Sequence, residues 1–168
     1  MARRRLLIFT CVGLALAVIL PVTGKAHVHR SAEYDFRVVT VANGFEHPWA
    51  IAFLPDGDIL VTERPGRLRV IRDGHLVAAP IEGVPEVYAV GQGGLLDVHP
   101  HPDFSSNRII YLTYSKPQGG QESTTTLIRG RFENDRLTNV EEVFEAVSQG
   151  RGHYGSRIAF DEDGYLYY

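Results

Sequence analysis

His153 stands in the stretch "SQGRGHYGSRIAF", with Gly150, Gly152 and Gly155 around it. Glycine lets backbone approach a ligand closely and leaves the space above a loop open. An imidazole in such a loop suits a general base, because its ordinary pKa lies near neutrality. A turn histidine bonded to backbone accounts for the same residues equally well. Gln92 occupies the matching place in "GQGGLLDV", followed by Gly93 and Gly94. Its carboxamide can donate to and accept from a polar ligand. No helical pattern follows, so the stretch is not a phosphate loop, and taken alone it reads as a turn. His47-Pro48-Trp49 is the third stretch of this kind, with Trp49 read as packing between sheets.

Two further groups invite a metal and do not support one. His99 and His101 in "HPHPDF" have no carboxylate or cysteine at ligand spacing, and read as exposed residues of a hairpin turn. Asp161, Glu162 and Asp163 are adjacent rather than spaced at alternate positions, so they read as a solvated turn and not a calcium loop.

Three similar segments carry these residues. Each has small or polar residues, a short apolar strand, a turn, and a second apolar strand. The turns are Leu54-Pro55-Asp56-Gly57, His101-Pro102-Asp103-Phe104 and Glu162-Asp163-Gly164. Asp and Gly tolerate the positive φ of tight hairpins. The strands are short and rich in Val, Ile, Leu, Phe and Tyr, and no helical period follows residue 26. The turns recur after about 46 and then about 60 residues, the spacing of four-stranded propeller blades. The fold class is therefore all-β, a β-propeller of about two and a half blades. The first blade reads as 50–54, 59–63, 68–72 and 76–81. The outer strands of the second read as 125–132 and 140–146. The third has its two inner strands only. A propeller must close into a ring to cover its strand edges and blade faces. The chain is accordingly expected to be the N-terminal part of a longer protein, inactive alone. A small open β-sandwich is the alternative.

Residues 1–26 stand apart. Three arginines precede an apolar run from Leu6 to Val22, and Gly24-Lys25-Ala26 offers a small-x-small cleavage site. This is the order of a secretory signal peptide. The alternative is a retained anchor, but the run is short and Pro21 breaks it. Cleavage would remove four of the 17 basic residues, leaving 13 against 20 acidic ones, a net charge of −7. An acidic exported domain lacks the cations that nucleic-acid binding needs. The only cysteine, Cys11, would leave too, so no disulfide or cysteine metal site is expected. The expected organisation is a signal peptide over 1–26, a leader over 27–37 and a propeller portion over 38–168, periplasmic or secreted, with no stable membrane insertion after cleavage.

"HPWAIAFLPDG", "VYAVGQGGLLDVHPHPDFSSNRIIYLTYS" and "GHYGSRIAFDEDGYLYY", in this order, resemble the glucose/sorbosone dehydrogenase family, and within it the aldose sugar dehydrogenase branch. The resemblance covers nearly all of residues 38–168. It implies a six-bladed propeller that binds pyrroloquinoline quinone (PQQ) over its channel, with calcium beside it. It implies that the whole protein oxidises an aldose at the anomeric carbon to the lactone, with hydride transfer to PQQ, and passes electrons to a periplasmic acceptor. By this resemblance His153 is the catalytic base, while Gln92 and Arg157 lie in the cofactor-binding region. Gly152 stands where the glucose-oxidising branch has an acidic residue. Calcium ligands and the clamps for the PQQ carboxylates are expected beyond residue 168. Two rival readings are a calcium-dependent propeller lactonase and a non-catalytic propeller that binds proteins or glycans. The first would place acidic ligands on channel loops that here offer His and Gln. The second would not need a polar residue on each of them.

Overall fold

The computed structural model describes residues 28–147 and 150–168, so the expected signal peptide lies outside the described residues. The chain divides into two compact units after Val39. In the first, β1 (Val28–His29) and β2 (Phe36–Arg37) pair antiparallel. Ser31 closes their turn, its hydroxyl donating to the Tyr34 carbonyl and accepting from the Tyr34 N–H.

The second unit, Thr40–Tyr168, holds the sheets. The first sheet runs β3 (Pro48–Phe53), β4 (Ile59–Glu63), β5 (Arg67–Arg72), β6 (His75–Leu76), each pairing antiparallel with the next. The second runs β7 (Leu95–Pro100), β8 (Ile109–Pro117), β9 (Ser123–Glu133), β10 (Arg136–Glu145) in the same manner. A hairpin of β11 (Ala159–Phe160) and β12 (Leu166–Tyr167) follows. Strand β7 packs on β3 and β4. Up-and-down four-stranded sheets stacked face to face are propeller blades.

The core lies between blades rather than within them. Ala50, Ala52, Leu60, Leu68 and Val70 from the first blade meet Leu95, Val98, Ile110, Leu112 and Phe132 from the second. The opposite face of β8 and β9 presents Tyr111 and Leu127 to Ile158, with Phe160 and Leu166 beside them. The second blade is thus covered on both faces, and a doubly covered strand needs no polar alternation. That is why "IIYLTY" reads as a continuous apolar run.

Strands β3 and β7 both bulge near their starts, and the same side chain repairs both. Thr62 Oγ1 accepts from Ala50 N–H (3.0 Å) and donates to the Leu96 carbonyl of the next blade (2.6 Å). Thr113 Oγ1 accepts from Asp97 N–H (2.9 Å) and donates to the Ser156 carbonyl (2.9 Å). Both threonines are fully buried. Ion pairs reinforce the other end. Arg72 bridges Asp58 of the first blade and Asp135 of the second, and Arg108 reaches Asp56.

Three expectations are adjusted. The fourth strand expected over 76–81 is only β6: Val77 N–H still donates to the Val70 carbonyl (2.9 Å), but the Val77 and Ala78 carbonyls accept from the Arg69 guanidinium instead of a strand. The chain returns to the sheet at Ile81, whose N–H donates to Leu68 (2.8 Å). The turn after β7 contains one helical turn, α1 (Phe104–Asn107), which drops Phe104 into the core. His99 lies on β7 rather than in that turn, and both His99 and His101 are half-buried against the Phe160 ring.

Loss of the Thr113 hydroxyl leaves a buried N–H and a carbonyl without their partner. Thr113→Val is expected to cost about 1–3 kcal/mol, read as a lower urea midpoint at unchanged slope. Acid should act through Glu63, a fully buried carboxylate. Burial would raise its pKa, but bonds from Arg67, the Glu46 N–H and Arg69 outweigh it, and the group lies below its ordinary value of 4.5. A depressed carboxyl stabilises fully above its unfolded pKa and loses that contribution as pH falls through the folded value. Asp135, held down by Arg72, acts in the same direction. Stability should therefore fall below about pH 4.5. Urea midpoints measured against pH should fall less steeply in Glu63→Gln, although that variant starts from a lower plateau.

Candidate functional site

Each first strand is entered from the same end of its blade, so the segments before β3, β7 and β11 gather at one end of the stack. They carry His47, Gln92 and His153. The contact that joins the last two is direct. Gln92 Oε1 accepts the backbone N–H of His153 at 2.8 Å, across 61 residues of sequence. The His153 side chain is exposed, and its imidazole makes no hydrogen bond to a described residue. The backbone of this turn histidine is therefore pinned by a side chain, while its ring is left for other work.

The glycines explain how the two loops come so close. A Cβ on Gly93 would lie 2.4 Å from the Tyr88 carbonyl and 2.7 Å from Ser115 Oγ. One on Gly94 would lie 2.2 Å from the Arg64 carbonyl. Ser115 Oγ accepts the Gly94 N–H (2.6 Å) and donates to Tyr88 (2.8 Å), so this corner is fixed from β8. Arg64 Nη1 donates to the Gly91 carbonyl, tying the first blade to the same loop.

The His153 loop is also docked onto the second blade. Gly150 and Ser123 exchange backbone bonds, Tyr154 Oη meets Ser123 Oγ at 2.6 Å, and Thr125 Oγ1 donates to the Tyr154 carbonyl at 3.1 Å. This docking holds a strained backbone. His153 has φ +59° and Ser156 φ +93°, both in the left-handed region that non-glycine residues avoid. A polar cavity of about 240 Å³ lies beside the loop, lined by Ser123, Thr124, Thr125, Tyr154 and His153. A larger hollow of about 420 Å³ is lined mainly by apolar residues such as Phe45, Trp49, Ile51 and Ile71. It offers packing surface, and only Arg157 at its edge carries charge.

Arg157 does not share the Gln92–His153 contact. Its Nη1 donates to Asp97 Oδ1 at 2.8 Å, and its guanidinium lies 4.8 Å from the centre of the Trp49 ring. It braces three blades at once, and Trp49 packs on the inter-blade core as its type suggested. Asp97, Thr113 and Ser115 are the contributors that sequence reasoning missed. One acidic residue inside the apolar run "LLDV" was the available signal for Asp97.

Among the described residues, no three His, Asp or Glu side chains cluster as a metal site. The carboxylate of Asp161 accepts from Asp163 N–H, Tyr165 N–H and Tyr167 Oη, so it is spent on its own turn. Among the described residues no helix is long and apolar enough to cross a membrane.

Comparison with known proteins gives a consistent picture. The model of the glucose/sorbosone dehydrogenase family matches residues 45–168. The chain is 42% identical over 143 residues to the aldose sugar dehydrogenase YliI of Escherichia coli K12, covering 82% of this chain and 38% of that protein. The crystal structure of the soluble aldose sugar dehydrogenase from Escherichia coli, in its apo form, superimposes with a TM-score of 0.68 at 42% identity, covering 73% of this chain and 37% of that one. The PQQ-bound aldose sugar dehydrogenase of Streptomyces coelicolor gives a TM-score of 0.68 at 29% identity, over 77% of this chain and 39% of that one. The chain thus spans less than two fifths of the length of these relatives.

Gly152 supplies a test of the loop contact. Its φ is not in the left-handed region, so alanine suits the backbone, but the new Cβ would lie 2.9 Å from Gln92 Oε1. The carboxamide should swing away and leave the His153 N–H without its acceptor. Loss of one such bond, worth about 0.5–1.5 kcal/mol, should speed amide exchange at His153 about 2- to 10-fold with the melting temperature nearly unchanged. Unaltered protection in Gly152→Ala would mean that Gln92 does not hold the loop.

Proposed function

From the premise that this chain belongs to the glucose/sorbosone dehydrogenase family, we propose that the full-length protein is an exported, PQQ-dependent dehydrogenase that oxidises aldoses to their lactones. The observation that carries this reading is the exposed His153 imidazole, without a hydrogen bond to any described residue and set on a backbone that Gln92 holds.

Oxidation of an aldose at its anomeric carbon removes a proton from the hydroxyl and a hydride from carbon, and leaves the lactone. PQQ, when bound, supplies the two-electron acceptor for the hydride. The chain's own residues do the rest. The His153 imidazole takes the hydroxyl proton, the part of a general base. The Gln92 oxygen is engaged by the His153 N–H, and its NH₂ group remains as a donor toward cofactor or sugar. A Cβ at Gly150 or Gly155 would meet nothing within 4 Å, so both leave room for a flat ring system and a sugar, while Gly152 lets Gln92 come close. Arg157 offers its remaining guanidinium N–H groups to an anionic quinone, while its Nη1 bond to Asp97 fixes the guanidinium in place. These residue types fit one side of a PQQ site. No described residue is assigned to calcium. A periplasmic electron acceptor completes the turnover.

The test is aldose oxidation by the PQQ-reconstituted full-length protein, alongside a cofactor titration. Loss of a general base typically costs about 10²–10⁴-fold, so His153→Ala should lower kcat by that order and leave PQQ affinity nearly intact. Gln92→Ala should weaken cofactor or sugar binding more than kcat. Wild-type turnover by His153→Ala would show that the histidine is only part of the turn.

A further inference from the structure

Asp97 is the one acidic residue of β7, set among Leu95, Leu96 and Val98, and only 2% of it is exposed. A buried carboxylate is costly unless both oxygens are satisfied. Here they are, and both partners come from the segment that follows His153. Oδ1 accepts from Arg157 Nη1 at 2.8 Å, and Oδ2 accepts the Ile158 N–H at 2.7 Å. The Asp97 backbone N–H donates to Thr113 Oγ1, which in turn donates to the Ser156 carbonyl. The Asp97 carboxylate thus holds Arg157 and Ile158, and Thr113 holds Ser156 just before them.

Five residues earlier on the same segment, Gln92 holds the His153 N–H. The stretch from Gln92 to Asp97 therefore grips the His153 loop on both sides. The backbone between the two grips has φ +59° at His153, +65° at Gly155 and +93° at Ser156. Such a conformation persists only where its surroundings over-determine it. Packing alone would be served by an apolar side chain at 97, and what the carboxylate adds is a fixed position for the loop.

We propose that Asp97 is a positioning residue for His153, setting the imidazole's place through Arg157 and Ile158. The proposal rests on the reading of His153 as the base. Displacement by about 1 Å can cost 10²-fold in rate. Asparagine keeps its one oxygen for the Ile158 N–H and turns an NH₂ donor toward the Arg157 guanidinium, whereas alanine keeps neither contact.

The experiment compares Asp97→Asn, Asp97→Ala and His153→Ala in the full-length protein. PQQ-loaded protein gives kcat and KM for aldose oxidation. Cofactor-free protein gives the His153 imidazole resonances by NMR, with His153→Ala providing the assignment. Expected are kcat losses of about tenfold for Asp97→Asn and about 100-fold for Asp97→Ala, with KM within about twofold, and a shifted or broadened His153 resonance in both. An unchanged resonance with wild-type kcat in Asp97→Asn overturns the proposal. So does an Asp97→Asn protein that fails to fold, because Asp97 then serves stability alone. Wild-type turnover in His153→Ala removes the base reading instead, and the resonance alone then decides whether Asp97 orders the His153 ring.

Discussion

Where β3 and β7 bulge, the strand ladder loses a backbone partner, and the hydroxyls of Thr62 and Thr113 take its place. Each hydroxyl also donates forward, to the backbone that opens the next blade. One small side chain thus repairs a blade and fixes the entry point of its neighbour. The segments that carry Gln92 and His153 lead into those entry points, so their relative positions follow from this contact. A side chain with the same shape but no hydroxyl would fill the space and leave two buried polar groups unpaired, which is the more expensive half of the exchange.

Buried charge is used in two different ways. Glu63 gathers Arg67 and Arg69 from its own sheet and the Glu46 N–H from the segment before it, so its effect is internal to one blade. Asp97 reaches across to the next blade, and the arginine that it holds lies over Trp49 of the first blade. Loss of the arginine partners would strand either carboxylate away from water, but only Asp97 transmits its position to the loop of His153. Apolar packing does not discriminate in this way. The Leu, Ile and Val side chains between blades bring the sheets together, and the directional bonds set their register.

The residues 47, 92 and 153 were legible from sequence as three equivalent polar positions ahead of three apolar strands. The β4 strand, 59–63, was legible to the residue because its ends are marked by an Asp-Gly turn and by Pro65. The β9–β10 turn was not, since Asn134 and Asp135 both adopt positive φ without a glycine to announce it. Nor was the shortening of the fourth strand, where the arginine that takes the Val77 and Ala78 carbonyls sits on a neighbouring strand.

By itself, the sequence determined the period, the strand-rich class and the glycines that open the loops, because these depend on residues near one another along the chain. Tertiary structure alone decided that Gln92 holds His153 by its backbone, that Arg157 is tied to Asp97, and that two threonines join successive blades. Each of these contacts links positions 34 to 61 residues apart. A hydrogen bond over that separation is specified by where two folded blades place a donor and an acceptor, within a few tenths of an ångström. No local pattern carries that information.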